Sequence, residues 1–253
     1  MHANYHTHTV RCRHASGTER EYIETAIANG LTVLGFSDHT PQPCKGDYYP
    51  AHQKMYPYEL EDYVTTILDL KKEYASEIRI LLGLEVEYYP GLFDELMRMI
   101  EPYPVEYLLL GQHALYDGGP DDPFVFIPTD SEVYLKQYVS QCLEALDTGR
   151  FLYFAHPDVF HFTGSKSLYK EEMRRLCLRA KALGVPLEIN LLGLGDHRHY
   201  PNPLFWEIAA ETGNDAVLGS DAHFPQHVYR RDTVSLAVKM AQDLGLKIIP
   251  ELL

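Results

Sequence analysis

Cysteine is scarce in this chain: four in 253 residues (Cys12, Cys44, Cys142 and Cys177), with no CxxC spacing among them. A disulfide framework and a thiolate zinc site are therefore not indicated, and the four read as reduced, mostly structural thiols. Positive charge is also in short supply, since 22 Lys and Arg against 36 Asp and Glu leave a formal net charge of −14. Nucleic-acid binding draws its affinity from clustered cations, so no nucleic-acid partner is expected and a small substrate is favoured. No stretch approaches the ~18 uninterrupted apolar residues of a membrane span, and the first residues carry no basic region followed by an apolar one. The expectation is a soluble cytoplasmic protein without a membrane partner. Low-complexity tracts and clear linkers are missing too, so residues 1–253 read as one domain with a buried core. Nothing in the composition points to a particular oligomeric state.

What the chain does have is alternation. Apolar runs rich in Val, Ile and Leu alternate with longer amphipathic stretches, the pattern of repeated β/α units around a parallel sheet. Strands are expected at 3–8, 32–37, 78–85, 107–112, 151–155, 186–190 and 216–220, with an eighth candidate at 247–249. Thr18 caps the first helix, Glu21 closes a capping box, and Gly30 takes the left-handed position after it. Gly149, Gly184, Gly213 and Gly245 likewise follow the helical stretches 132–146, 171–183, 204–212 and 234–244. Seven or eight such units point to a closed β/α barrel with its active site at the C-terminal ends of the strands. An open doubly wound sheet is the alternative, although no Gly-rich phosphate loop follows the first strand. The loops 41–55 and 116–129, rich in Pro, Gly, Asp and aromatics, are placed to cover the mouth.

The 13 histidines are unevenly placed, many beside Asp, Pro or another His. Nearly every expected strand ends on a residue able to bind a metal. His6 and His8 are two apart, which in extended chain puts both rings on one face, and His14 follows in the loop. The next strands end in Ser37-Asp38-His39, Glu85, Gln112-His113, His156-Pro157-Asp158 and Asp221-Ala222-His223. One histidine at a strand end is ordinarily a surface or hydrogen-bonded residue. Seven histidines and two carboxylates at the same end of successive strands have no economical structural explanation. They exceed what one ion needs and suffice for two or three. Imidazole and carboxylate donors suit zinc, iron or manganese, and Glu85 is placed to bridge two ions. Water shared between such ions loses a proton near neutral pH, which makes hydrolysis the natural reaction. His2, His52 and His227 are expected to face solvent. Tyr48, Tyr49, Tyr56 and Tyr58 crowd the loop after His39, either as an aromatic lid or as packing against the barrel.

The segments "YHTHTVRCRHASGT", "LGFSDHTP", "ILLGLEVEYYPG", "LLLGQHAL", "YFAHPDVF", "LEINLLGL" and "LGSDAHFP" follow one another along nearly the whole chain. With them the sequence resembles the polymerase and histidinol phosphatase (PHP) family, in its histidinol-phosphatase type. The resemblance implies a distorted (β/α)7 TIM-like barrel, the metal site at the C-terminal ends of the strands, and three divalent ions of zinc, manganese or iron. It implies that His6, His8, Glu85 and Asp221 hold the first ion. Glu85 would bridge to a second held by His113 and His156, and His14, His39 and His223 would hold the third. In the family a hydroxide between the first two metals attacks phosphorus, while the third helps bind the phosphate oxygens. Asp38 is expected to orient His39, with proton transfer or capping of the turn as alternatives. The implied substrate is a small phosphorylated metabolite, first of all L-histidinol phosphate. Rival readings are a phosphodiesterase or exonuclease of the same fold, an amidohydrolase barrel, and a metal-binding domain without catalysis. The acidic balance weighs against a nuclease, and the Glu85 strand end and the Asp221/His223 pair against an amidohydrolase.

The departures concern the phosphate. Relatives of this type often carry one arginine after the His156 motif and another after the Asn190 segment. Here those places read Asp158-Val159-Phe160-His161 and Leu192-Gly193-Leu194-Gly195. Arg198, His197, His199 and His161 are the expected replacements, since guanidinium and imidazolium both donate to phosphate oxygens. Arg13 and Arg11, beside the metal loop, are further candidates.

Overall fold

A computed structural model describes residues 1–44, 49–50 and 52–253. Eight parallel strands lie side by side in chain order: β1 (Ala3–Asn4), β2 (Val33–His39), β3 (Arg79–Val86), β4 (Tyr107–Leu110), β5 (Tyr153–Phe154), β6 (Leu187–Asn190), β7 (Asp215–Gly219) and β8 (Lys247–Ile248). Helices α1 (Glu19–Ala28), α2 (Leu60–Glu73), α3 (Phe93–Ile100), α4 (Glu132–Asp147) and α5 (Lys166–Leu183) connect the first six strands in turn. The short α6 (Leu191–Gly195) and α7 (Pro203–Glu211) lead from β6 to β7, and α8 (Arg231–Leu244) leads to β8. The eighth candidate is thus a strand, two residues long.

The sheet curls until its first and seventh strands meet beyond their ladders. Thr7 forms a parallel bridge with Ala222, carried by His8 N–H to Ala222 O at 3.0 Å and Ala222 N–H to His6 O at 3.2 Å. At the opposite end β8 continues the sheet outside β7, and among the described residues no pairing joins β8 to β1. The barrel therefore closes at its C-terminal rim and is splayed at its base. The expected first strand reached His8, yet the regular ladder stops at Asn4. The Asn4 side chain takes over there: its Oδ1 accepts from His6 N–H at 3.2 Å and Ser220 N–H at 3.0 Å, and its amide donates to Thr7 Oγ1 at 2.8 Å. Tyr5 packs in the interior, and His6 next to it also reaches interior carboxylates, so the two-residue alternation slips between them.

Period-two patterning sorts the other strands. Val33, Leu81, Tyr107, Leu109, Tyr153 and Val217 form the inner cluster with Ala3 and Tyr5, whereas Leu34, Phe36, Ile80, Leu82 and Leu84 face the helices. Higher up the inner face turns polar. A Cβ on Gly111 would overlap the Glu85 carboxylate and one on Gly219 the Glu188 carboxylate, so bare backbone at these places admits two buried acids. The Thr18/Glu21 capping box is present, and Gly30, Gly149, Gly184, Gly213 and Gly245 all have positive φ after their helices. Helix α5 starts at Lys166, five residues before the expected 171, because Ser165 caps it by accepting Leu168 N–H. Helix α8 begins at Arg231 rather than 234. Among the described residues no helix is long and apolar enough to cross a membrane.

Candidate metal centre

The register carries the ligands to one level: His39 at the end of β2 lies opposite Glu85 in β3. His113 and His156 follow the ends of β4 and β5, and Asp221 follows β7. All nine expected ligands meet on this rim. Oε1 of Glu85 is 2.9 Å from His156 Nε2, 3.5 Å from His6 Nε2 and 3.6 Å from His113 Nε2. Its Oε2 is 2.9 Å from His39 Nδ1 and 3.7 Å from His8 Nε2. Asp221 Oδ1 lies 3.0 Å from His8 Nε2, 3.4 Å from His223 Nδ1 and 3.6 Å from His6 Nε2. His14 completes the group, its ring stacked on that of His223 at 4.6 Å.

Burial disfavours charge on Glu85, Asp221, His6, His8, His39, His156 and His223, and their neighbours decide the balance. It pushes the Glu85 carboxyl up, but His39, His113 and His6 outweigh it and hold Glu85 well below the carboxylate range. His6, His8 and His223 do the same for Asp221. Burial lowers His8, whereas the carboxylates of Asp221 and Asp38 beside its ring bring it up to about 9. His39 and His223 are held well below their ordinary value by burial, reinforced by the charge of His8. Several donor atoms are left over. Nε2 of His6, both ring nitrogens of His8, Nδ1 of His156, Nε2 of His223 and Oε2 of Glu85 are buried and make no well-directed hydrogen bond, even where an oppositely charged group is near. Unpaired buried polar atoms are costly, and so many in one place call for cations among them. Ligand atoms of three sets, His6/His8/Asp221, His6/Glu85/His156 and His8/His39/His223, lie within 4.8 Å of one another. The donor set fits divalent metals.

A ring of further acids orients these imidazoles, and sequence reasoning passed over it. Nδ1 of His6 lies 3.0 Å from both oxygens of Glu188. Nδ1 of His113 lies 2.7 Å from Glu87, which also takes the buried Lys54 ammonium at 3.0 Å and the Tyr89 hydroxyl. Glu87 is two residues past Glu85, and Glu188 two before Asn190; that spacing along a strand was the available signal. Asp38 requires a correction. Its carboxylate accepts the backbone N–H of His39 at 2.8 Å and the Thr9 hydroxyl, and it faces Nδ1 of His8 at 3.5 Å, while the His39 ring turns to Glu85. It faces the His8 ring and holds the His39 backbone, not the His39 imidazole.

A cavity of about 580 Å³ opens above this floor. The loop 41–55 contributes His52 and Gln53 to its wall, and the loop 116–129 contributes Phe124 and Phe126. Tyr48 lies outside the described residues. Tyr49, Tyr56 and Tyr58 stack on one another at 5.1 and 5.2 Å and do not line the cavity. Arg198 does, held by Tyr200 Oη at 3.1 Å. His161 and His199 stack at 4.0 Å, with His199 Nε2 on Val159 O at 2.6 Å; neither they nor His197 line it. Arg13 is outside as well, paired with Glu59 at 2.6 Å, and the buried Arg11 serves Glu19 and Asp62. His2 and His52 are exposed as expected, His52 at the edge of the cavity, whereas His227 is half-buried and lines it. His227 Nε2 meets Arg230 at 3.2 Å, and the Arg230 guanidinium fills the space beside Gly195 that a side chain there would need.

Comparison with known proteins agrees with this architecture. The PHP domain model matches residues 4–191. A probable histidinol-phosphatase of Deinococcus radiodurans is 32% identical over 248 residues, covering 95% of this chain and 92% of the relative. The histidinol-phosphatase of Bacillus subtilis is 29% identical over 252 residues, covering 86% and 92%. A crystal structure of histidinol phosphate phosphatase from Lactococcus lactis, complexed with zinc, L-histidinol and phosphate, superposes with a TM-score of 0.76 at 20% identity, covering 98% of this chain and 95% of that one. The order of the strands, the rim of histidines and the extent of these matches lead to one statement: the chain belongs to the PHP domain family.

Proposed function

We propose that this chain is a metal-dependent phosphomonoesterase that hydrolyses L-histidinol phosphate to L-histidinol and phosphate. The observation that carries the reading is the convergence of seven imidazoles on two carboxylates at the cavity floor, with buried donor atoms left unpaired. The names of the relatives point to the substrate. Three divalent ions would be held by His6, His8, Glu85 and Asp221, by Glu85, His113 and His156, and by His14, His39 and His223. When bound, such ions supply Lewis-acid polarisation of a phosphate ester and make water acidic enough to attack it. The chain's own residues prepare for this. Glu188 and Glu87 hold Nδ1 of His6 and His113, so that each presents Nε2 to the cavity floor. The backbone carbonyls of Cys12 and Asp221 do the same for His14 and His223. Arg198 donates to the phosphate oxygens from the cavity wall, where Asp196 pairs with both it and Arg230. Phe124 and Phe126 limit water around the ester.

The test is phosphate release by the zinc-, manganese- or iron-loaded protein from a panel of monoesters that includes L-histidinol phosphate, beside cyclic and dinucleotide phosphodiesters. L-Histidinol phosphate is expected to have the highest kcat/KM. Parity with generic monoesters would remove the substrate name, and faster cleavage of the diesters would move the chain to a phosphodiesterase role. Glu85→Ala should abolish hydrolysis and lower the bound metal; retention of both contradicts the bridging role.

A further inference from the structure

One more ligand-competent atom faces the same ring of side chains. Cys12 closes the single-turn 3-10 helix Val10–Cys12 and is wholly buried. Apolar packing does not account for it: Cys142 and Cys177 belong to the helix-side hydrophobic cluster, and Cys12 belongs to neither cluster. Its thiol instead lies in two groups whose ligand atoms are all within 4.8 Å of one another, with His14 and His223 and with His8 and Asp38. The histidines there have donor atoms to spare. His14 and His223 spend Nδ1 on backbone carbonyls, at 2.7 and 3.0 Å, and present Nε2. Nε2 of His223 is buried without a hydrogen-bond partner, and the two nitrogens of His8, also buried, make no well-directed hydrogen bond to the carboxylates they face.

We propose that the Cys12 sulfur is a protein ligand of the third ion, beside His14, His39 and His223. Resting on the metal-centre reading above, this makes the three ions chemically unequal. Two would have only nitrogen and oxygen donors from the protein, and the third would have a nitrogen and sulfur set. Thiolate favours zinc over manganese, so the third position selects a thiophilic ion while the other two accept harder ones.

Zinc-edge X-ray absorption of the wild-type, zinc-loaded chain decides the matter without any variant. A sulfur scatterer at about 2.3 Å is expected beside the nitrogen and oxygen shell at about 2.0 Å. A shell of nitrogen and oxygen alone overturns the proposal and leaves the phosphatase reading standing, whereas a chain that binds no divalent ion overturns both. Cobalt(II) gives a second readout. The near-ultraviolet thiolate-to-cobalt band should appear in the wild type and in Cys177→Ser and vanish in Cys12→Ser; a band that survives in Cys12→Ser overturns the assignment. Zinc affinity at one position should fall roughly tenfold or more in Cys12→Ser with manganese affinity little changed. An equal change for both metals counts against a sulfur ligand.

Discussion

Replacing Glu188 by glutamine removes a carboxylate that holds no ion in the proposed centre yet sets the character of one ligand. Both its oxygens lie 3.0 Å from His6 Nδ1, one also accepts His156 N–H at 3.1 Å, and the residue is wholly buried. An acid in this position fixes the tautomer and raises the basicity of the ligating nitrogen, and its loss costs about 10- to 100-fold in metal affinity. That corresponds to about 1.4 to 2.7 kcal/mol. A second effect has the opposite sign. Burial lowers the His6 imidazole, but Glu188, with Asp221 and Glu85, outweighs it and holds the metal-free ring well above its ordinary value. Near neutral pH an incoming ion must therefore displace a proton from wild-type His6. In Glu188→Gln that proton is held less tightly, so the competition is weaker. The full loss should appear at alkaline pH and shrink as the pH falls towards about 6. Zinc titration against a competing chelator at several pH values, on wild type and variant, measures both parts. A loss that does not change with pH refutes the proton-competition argument; unchanged affinity throughout refutes the positioning role of Glu188.

Three further outcomes follow from the geometry. His8 stands at about 9 in the metal-free protein, and His6 and His156 are also raised against the effect of burial. Their stabilisation is fully present below the unfolded histidine value of about 6.5 and is lost as pH rises through about 9. The chelated protein should lose melting temperature across that window and the metal-loaded protein should not; calorimetry of a chelated sample that gains stability there contradicts the assignment. Arg198→Ala removes a charged donor from the cavity wall, so KM for a phosphomonoester should rise roughly 10- to 100-fold. Metal content should stay at the wild-type level, and a fall in bound metal with unchanged KM would place Arg198 elsewhere in the mechanism. Gly111→Ala sets a methyl group against the Glu85 carboxylate; urea unfolding should show a cost of about 1–3 kcal/mol, and bound metal should drop. A fully loaded, equally stable variant would mean that the strands yield.

The barrel was legible because short apolar runs such as 32–37 alternate with longer amphipathic stretches closed by glycines such as Gly184 and Gly245, each with φ near 70°. The nine ligands were legible because strand ends are where a β/α barrel presents function, and imidazole is uncommon enough to stand out there. Glu188 was not, since a single acid inside an apolar strand looks like an exposed residue until a neighbouring Gly219 is known to make room for it, and Glu87, just past the end of β3, was overshadowed by Glu85. Asp38 was assigned to the wrong imidazole because adjacency in sequence suggested His39, while the pleat turns that ring away towards Glu85. Arg230 was invisible for a different reason. It reaches His227 on the cavity wall from the N-cap of α8, 35 positions after the Gly195 it fills beside, a distance that only the fold can cancel.

The rim closure has a consequence for how the chain is held together. The first and seventh strands meet through a few hydrogen bonds, among them one that joins Ser220 to Asn4 across 216 positions. Bringing such distant segments together carries nearly the largest ring-closing entropy the chain can incur. His6 and His8 on one side and Asp221 and His223 on the other flank that seam. Ions seated between them would work as a removable clasp, tying the two ends of the polypeptide as a cross-link does, so that chelation would open the ring at its seam before it disturbed the helices.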